Sequence, residues 1–205
     1  MWVPTNGVAD GDAPASSPSD ATINVRGRIA RSVIRGDKVT FRAIERDDLA
    51  QLRDWRNDPE IRTRTREFRL LSMENQERWY NGLHDDKNTI MFAVTNEGNK
   101  LIGVVGLTYI DWKNRRAEVS IYIGERDAQG KGYGIDALRT LMKYGFQHVN
   151  LHKLYAEIFA FNEPSVKLFE KAGFTREGMK REDQFVDGKY WDTYVFSILE
   201  KEFKG

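Results

Sequence analysis

A glycine-rich turn, Gln129-Gly130-Lys131-Gly132-Tyr133-Gly134, is the segment of this sequence whose residue types and spacing are best suited to chemistry. A strand-like stretch ends shortly before it at Ile123, and a helix-like stretch follows it. Glycines let backbone N–H groups approach an anion closely, and the positive end of a helix dipole favours negative charge. The turn therefore predicts a binding site for a phosphate or pyrophosphate.

Two common phosphate-binding motifs do not fit this turn. A Walker loop would require glycine at position 125 and serine or threonine at position 132, where the chain has Glu125 and Gly132. A dinucleotide-binding fingerprint would require a third glycine at position 135, which is Ile135. On these residues alone, a glycine-rich turn that merely leads into a helix remains an alternative.

The elements that would position the turn follow from the spacing of apolar residues. Helices are predicted to begin near Asp47, near Ser72, after the glycine-rich turn and near Pro164. Asp187-Gly188 predicts the two-residue turn of a β-hairpin. The predicted strands cover residues 38–44, 89–95, 100–110, 116–123, 151–161, 174–186 and 189–199. This order predicts an α+β domain built around a mixed sheet.

Composition excludes several classes of protein. The chain has 205 residues, 40% of them hydrophobic, and its 32 Lys and Arg residues nearly balance 31 Asp and Glu residues. A balanced charge does not favour binding to nucleic acid or to an anionic membrane, and no apolar run approaches the ~18 residues of a membrane span. With no cysteine and only three histidines, we expect no disulfide, no cysteine nucleophile and no metal site.

Residues 1–36 differ in composition from the rest of the chain. Three of the five prolines lie among the first 20 residues, with Gly, Ala, Ser and Asp between them and little apolar periodicity. Such a segment buries too little surface to offset the entropy of ordering it. We therefore predict a flexible extension over 1–36 and a domain over 37–205. Because the first residues have neither a basic start nor an apolar stretch, we expect no secretory signal and a cytoplasmic location.

Two segments resemble the GNAT superfamily of N-acetyltransferases. Gln129-x-x-Gly132-x-Gly134 matches the Q/R-x-x-G-x-G/A loop with which that superfamily binds acetyl-CoA, and residues 162–174 resemble its second cofactor segment. The predicted element order is similar too, so the resemblance covers residues 38–202. It implies the GNAT fold, with a mixed and mostly antiparallel central sheet flanked by helices, and acetyl-CoA as the cofactor.

The resemblance also implies a cofactor role for three groups of residues. Ile121, Tyr122 and Ile123 would pair along the pantetheine arm of the cofactor. Asn162 would form a hydrogen bond near the pantetheine, with Ser165 and Lys167 on the adjoining helix face. The backbone amides of the turn would bind the pyrophosphate, and these belong to Gln129, Gly130, Lys131, Gly132, Tyr133 and Gly134.

Acetyl transfer to an amine needs a base, because an alkylammonium with a pKa of ~10 must lose a proton before its nitrogen can attack. Glu157 and Glu118, both in predicted strands, stand where members of the family carry such a base. A solvated or salt-bridged strand face is the alternative for either glutamate. Because the chain has no cysteine, direct attack in a ternary complex is favoured over an acyl-enzyme.

The departing thiolate also needs a proton, and here the sequence departs from the family. Phe169 stands where the family often carries a tyrosine, and a phenyl ring has no proton to give. Tyr122 is a candidate replacement, together with Tyr133 and Tyr155. Protonation by water and departure of the free thiolate are alternatives. Phe169 itself is expected to serve helix packing.

The acceptor site is expected between the early helices and the terminal hairpin. Residues 55–59 and 185–190 resemble the branch that holds polyamine, nucleotide-linked amino-sugar and ribosomal-protein N-terminal acetyltransferases. The run of arginines at positions 62, 64 and 66 either is solvated or meets a phosphorylated acceptor. The candidate acceptor-site residues are Trp55, Arg56, Asn57, Glu60 and Trp79 on one side, and Glu182 and Tyr190 on the other.

The expected acceptor is a primary amine of a small molecule, either a nucleotide-linked amino sugar or a polyamine. Two alternatives stay open: acetylation of the N-terminus of a ribosomal protein, and a non-catalytic acyl-CoA-binding module. The resemblance also suggests a homodimer, and neither nucleic acid nor a membrane is an expected partner.

Overall fold

The computed structural model describes residues 33–204, which are organised around an eight-stranded mixed sheet. The strand order is β1-β2-β3-β4-β5-β6-β8-β7, and every neighbouring pair is antiparallel except β5 and β6. The strands are β1 (Ile34–Arg35), β2 (Thr40–Arg42), β3 (Ile90–Thr95), β4 (Leu101–Asp111), β5 (Arg116–Ile123), β6 (Lys153–Phe159), β7 (Thr175–Val186) and β8 (Lys189–Leu199). The helices are α1 (Leu49–Asn57), α2 (Pro59–Arg62), α3 (Met73–Gly82), α4 (Tyr133–Gln147) and α5 (Glu163–Lys171). The predicted α+β architecture is confirmed.

Most predicted elements are confirmed, and the differences have local causes. β5 has the predicted bounds, and the β7–β8 hairpin turns at Asp187 and Gly188, both with positive φ. β6 begins at Lys153 instead of residue 151, because Asn150 takes a left-handed conformation (φ 62°) and the pairing with β5 begins at Lys153.

The first predicted strand, over residues 38–44, is shortened to β2 by a turn. The carboxylate of Asp136, in the first turn of α4, accepts hydrogen bonds from the backbone N–H groups of Asp37, Lys38 and Val39. This turn fastens the beginning of the sheet to α4. It follows β1, which pairs with β2. Of the extension predicted over 1–36, residues 1–32 lie outside the described residues.

The helix predicted to begin near Asp47 consists of one 3₁₀ turn and α1, and it ends at Asn57. The short helix α2, which the sequence analysis does not predict, follows at once. Asp58 caps it by accepting a hydrogen bond from the Glu60 N–H, and Pro59 occupies its first position. Proline there is compatible with a helix start as well as with the end of the preceding helix.

Helices cover both faces of the sheet. α4 and α5 lie over the larger apolar cluster, which includes Ala117 and Leu154, whereas α1 and α3 lie over a smaller one that includes Leu52. Because successive side chains of a strand point to opposite faces, Glu118 and Glu157 lie on the side of α1 and α3, which we call the α1 face. No helix within residues 33–204 is both long and apolar enough to cross a membrane.

Candidate active site

The neighbouring parallel strands β5 and β6 separate part of the way along their length. Their pairing joins residues 116–118 to residues 153–155 and goes no further, although β5 continues to Ile123 and β6 to Phe159. Within the described chain, the stretch of β5 with Ile121, Tyr122 and Ile123 therefore faces a gap on this side. An extended ligand with amide groups can add to such a strand edge through main-chain hydrogen bonds.

The glycine-rich turn follows β5 and leads directly into α4. Gly130 (φ 72°) and Gly132 (φ 87°) take the left-handed conformation that glycine adopts without strain. The six backbone N–H groups from Gly130 to Ile135 have no hydrogen-bond acceptor among the described residues. Such a row of donors at a helix N-terminus is an anion-binding arrangement, and it fits a pyrophosphate.

Two side chains hold this turn in position. Lys38 Nζ donates to the carbonyl of Lys131 (3.1 Å), and Gln129 Nε2 donates to the carbonyl of Ile123 (3.1 Å). The first contact ties the turn to the β1–β2 connection, and the second ties it to the end of β5. The amides of the turn are therefore fixed relative to the gap between the strands.

Asn162 lies where β6 leads into α5. It is buried, its N–H donates to the carbonyl of Phe159 (2.8 Å), and its Oδ1 accepts from the Ser165 N–H (3.4 Å). The Nδ2 group of Asn162 has no acceptor within residues 33–204 and is the part of this side chain that could reach a cofactor. Ser165 is half-buried, and the exposed Lys167 pairs with Glu163 (3.4 Å).

Glu118 and Glu157 are held by one guanidinium. Arg66, from the loop between α2 and α3, contacts Glu118 through both terminal nitrogens at 2.5 and 3.2 Å, and Glu157 at 3.2 Å. Lys180 of β7 donates to the other oxygen of Glu157 at 2.5 Å. Both candidate bases therefore lie together where β5 and β6 separate, each paired with a cation.

The two glutamates keep Arg66 positively charged. Burial alone would lower the pKa of Arg66, but its hydrogen bond to Glu118 and the charges of Glu118 and Glu157 raise that pKa above its ordinary value. Glu118 is only 7% exposed, so its ion pair is partly shielded from solvent. All four carboxylate oxygens of Glu118 and Glu157 already accept a hydrogen bond from a cation.

The possible proton donors lie in different surroundings. Tyr122 is on the α1 face, and burial raises the pKa of its hydroxyl well above the ordinary value, with a small opposite effect from Arg56. Burial and the charge of Glu118 raise the pKa of Tyr155, the register partner of Glu118. Each phenol therefore stays protonated at neutral pH and gives up its proton less readily than an ordinary tyrosine.

Tyr133 and Phe169, which the sequence analysis considers for protonation of the thiolate, make other contacts. Tyr133 donates its hydroxyl proton to Glu97 (2.8 Å), and that bond raises its pKa. Phe169 is buried and packs edge-on against Phe174, with ring centroids 4.9 Å apart, which confirms the expected packing role.

Trp55 packs against the segment that joins β5 to the glycine-rich turn. A Cβ atom added to Gly124 would lie 2.1 Å from Trp55 Cδ2, so the indole lies directly on that backbone. The indole also packs edge-on against Tyr122, with centroids 6.3 Å apart. Trp55 therefore helps to position the segment that leads into the glycine-rich turn.

Asn57 and Arg56 lie on the same helix but in different environments. Asn57 forms two hydrogen bonds with the backbone of Leu71, at 2.9 and 2.8 Å, and so fastens the α2–α3 loop to α1. The Nε atom of Arg56 is buried and has no hydrogen-bond partner in the described part of the chain.

Four predicted acceptor-site residues are not brought together with the glutamates. Glu60, Trp79, Glu182 and Tyr190 are exposed, and no hydrogen bond, ion pair or ring contact of residues 33–204 joins them to Glu118 or Glu157. Tyr190 packs on Phe185 (5.0 Å), on the hairpin face opposite to that of Trp191. A role for these four residues in binding the acceptor stays a prediction.

Sequence reasoning missed three contributors. The N–H of Ile135 extends the row of free donors, Lys180 pairs with Glu157, and Arg66 binds both glutamates. The arginine run does draw attention to Arg66. Arg66 is ion-paired within the chain although its side chain is 43% exposed, and contact of the arginine run with a phosphorylated acceptor stays a prediction.

A gap between parallel strands, followed by a glycine-rich helix N-terminus, fits the acyl-CoA site that the resemblance to acetyltransferases implies. Residues 38–175 match the model of the acetyltransferase (GNAT) domain, and the chain belongs to this family. A spermidine N(1)-acetyltransferase of Vibrio cholerae is 32% identical over 166 residues, which cover 81% of this chain and 95% of that protein.

Solved structures agree with this assignment. The crystal structure of spermidine N-acetyltransferase from Vibrio cholerae in complex with CoA and spermine has a TM-score of 0.75, with 32% identity over 80% of this chain and 96% of that chain. A dodecameric structure of that enzyme has a TM-score of 0.71, with 33% identity over 80% and 94% of the two chains. The predicted GNAT fold is confirmed. The chain is an acetyl-CoA-dependent N-acetyltransferase whose acceptor is an amine.

Proposed function

We propose that this chain acetylates a primary amine of a small molecule, a nucleotide-linked amino sugar or a polyamine, by direct attack in a ternary complex. The observation that best supports this proposal is the position of Glu118 and Glu157 where β5 and β6 separate. The similarity to spermidine acetyltransferases supports an amine acceptor. Because Arg66 contacts both Glu118 and Glu157, an acceptor that needs these two carboxylates unpaired is disfavoured.

Three parts of the chain would hold the cofactor. The free amides from Gly130 to Ile135 would bind the pyrophosphate, and the β5 edge from Ile121 to Ile123 would form hydrogen bonds with the pantetheine arm. The Nδ2 group of Asn162 would add a donor at the end of β6. When bound, the cofactor supplies an acetyl group activated as a thioester.

Glu157 is the proposed base, and Glu118 the residue that positions Arg66. Glu118 is the more buried of the two and is bonded to both terminal nitrogens of Arg66, whereas Glu157 is 21% exposed at its side chain. Glu157 would accept a proton from the acceptor ammonium, after which the neutral nitrogen bonds to the carbonyl carbon as the carbon–sulfur bond breaks. The sulfur leaves as a thiolate and takes a proton from water or from Tyr122, which regains its proton from solvent. The new amide nitrogen loses its second proton to water, so that the products are an amide and a thiol.

Initial-rate kinetics with identified products test this function. The enzyme is incubated with acetyl-CoA and, separately, with spermidine, a uridine-diphosphate amino sugar and a short peptide, and thiol release is followed while mass spectrometry locates the acetyl group. We expect acetylation of a small-molecule amine, with intersecting double-reciprocal lines. Parallel lines would contradict direct attack, and acetylation of the peptide alone would contradict a small-molecule acceptor.

We also propose that the chain self-associates as a homodimer or a multiple of it. A dodecameric relative supports self-association, and so does the exposed Phe185–Tyr190 pair on the hairpin. Light scattering of the purified protein tests this, with a monomer at micromolar concentration as the contradicting result.

A further inference from the structure

An open cavity of about 320 Å³ lies on the α1 face beyond Glu157. It is bounded by the α2–α3 loop, the connection from β6 to α5 and the tip of the β7–β8 hairpin. Its volume is at the lower end of the range of small-molecule sites. The lining residues are Thr63, Arg64, Phe161, Val186, Asp187, Lys189 and Trp191.

The cavity combines flat aromatic surface with positive charge. The rings of Phe161 and Trp191 lie 4.9 Å apart, and Lys189 Nζ lies 3.9 Å from the Trp191 ring centroid. Arg64 supplies a second cation, and Asp187 is the single acidic residue of the lining. Guanidinium and ammonium groups beside aromatic surface suit an anionic group that carries a flat ring.

The cavity and the glutamates are placed to bind two ends of one molecule. Phe161 follows Glu157 by four residues, through the end of β6 and the turn after it, so the two backbones lie at most about 14 Å apart. Thr63 and Arg64 lie in the same loop as Arg66, so this loop borders both places. An acceptor with its amine at Glu157 could therefore reach the cavity with a group some ten ångströms away.

The charges at the glutamates do not favour a polycation. Arg66 and Lys180 already neutralise Glu118 and Glu157. A spermidine-like acceptor would have to displace these cations and then extend toward the basic cavity. An acceptor with a negative remote group brings only one ammonium to these cations, and its far end matches the positive charge of the cavity.

We infer that this cavity is the subsite for the remote end of the acceptor, and that it takes an anionic group attached to a flat ring. The inference rests on the proposed function and selects within it: the acceptor is an amine whose far end is negatively charged. A nucleotide and a simple sugar phosphate share the anion, and the aromatic lining favours the nucleotide.

Steady-state kinetics of the Arg64→Ala/Lys189→Ala double variant test this inference. The acceptors are a uridine-diphosphate amino sugar, glucosamine 6-phosphate, glucosamine and spermidine, and Lys113→Ala, an exposed lysine in the β4–β5 turn at the other end of β5, is the control. We expect the double variant to raise the KM for the nucleotide sugar about tenfold or more, with kcat nearly unchanged, as befits the loss of charge-assisted hydrogen bonds. The KM for glucosamine should not change, and Lys113→Ala should behave as wild type.

A binding measurement separates this inference from the proposed function. Calorimetric titration with uridine diphosphate alone, in the presence of CoA, should show binding to wild type and at least tenfold weaker binding to the double variant. If no amine is acetylated but uridine diphosphate binds the double variant at least tenfold more weakly than wild type, the proposed function is contradicted and the anion subsite is supported. If wild type prefers spermidine to both anionic amines, or if the double variant matches wild type in both KM and uridine diphosphate binding, the inference is overturned.

Discussion

The guanidinium of Arg66 bonds to the carboxylate of Glu118 through both of its terminal nitrogens, across 52 residues of sequence. The pair fixes the α2–α3 loop over β5, at the point where β5 parts from β6. The same loop is fastened from its other end by Asn57, through the backbone of Leu71. The acceptor side of the site is therefore organised by contacts that also hold the loop in place.

Replacing Arg66 with methionine should destabilise the fold, because Glu118 would remain buried without its cation. We expect the free energy of unfolding to fall by about 2 kcal/mol, the magnitude of a lost charged hydrogen bond. Urea unfolding measures this. Arg69→Met, which removes an exposed partner of Glu67, is the matched control and should not measurably change stability.

A double-mutant cycle shows whether the pair itself is responsible. Adding Glu118→Gln to Arg66→Met should cost much less than Glu118→Gln costs in wild type. Additive losses in the two backgrounds would mean that the residues act independently.

Gly132→Ala should weaken cofactor binding more than it weakens the fold. Gly132 has φ 87°, so a side chain there strains the backbone that presents the free amides. We expect the Kd for CoA to rise about tenfold or more by calorimetry. Gly188→Ala imposes a similar strain (φ 78°) in the hairpin turn, and it should leave the Kd for CoA unchanged. Equal effects of the two variants on the Kd would show that the turn has no special role.

Gly124→Ala should disturb the packing of Trp55. The added methyl group would lie 2.1 Å from the indole, so the helix, the turn or the ring must move. We expect a loss of about 1–3 kcal/mol in unfolding free energy, as for other overpacked sites. Gly82→Ala, where no atom lies within 4 Å of an added Cβ, is the control and should be neutral or slightly stabilising. A fully stable Gly124→Ala protein would contradict the close packing of Trp55 on this segment.

Asp48 should make stability depend on pH in the acidic range. Burial alone would raise the pKa of Asp48, but hydrogen bonds from Arg42 and from the backbone of Glu45 lower it below its ordinary value of 3.8. Because the folded-state pKa is the lower one, the stabilisation is present above pH 3.8 and is lost as the pH falls through the folded-state pKa. Asp48→Asn should therefore be less stable than wild type by about 2 kcal/mol at pH 7, with a smaller difference at pH 3. A difference that stays constant between these pH values in urea unfolding would refute this assignment.

Local patterns predict the elements of this fold well. The alternation of residues 116–123 gives β5 its bounds, Ser72 caps α3 through the Asn75 N–H, and Asp187-Gly188 makes the hairpin turn. The glycine spacing predicts the free amides at α4. Each of these features depends on residues that are close together in the sequence.

The contacts of the glutamates depend on residues that are far apart in the sequence. Arg66 is 91 residues from Glu157, and Lys180 reaches Glu157 from a strand whose register shifts between Lys180 and Gln184. No periodicity predicts a register shift or the path of the α2–α3 loop. For this reason the sequence places both glutamates on strands but does not identify their cationic partners.

The rate of thiol release by Glu157→Gln, at saturating acetyl-CoA and acceptor, tests the central claim most directly. We predict that kcat falls about 100-fold or more, the usual contribution of a general base, while the Kd for CoA is unchanged. Glu118→Gln should reduce kcat less. Glu177→Gln is the matched control: this residue of β7 is paired with Lys153 and Ser197, and its kcat should stay within about twofold of wild type. A Glu157→Gln enzyme with the kcat of wild type would contradict the account.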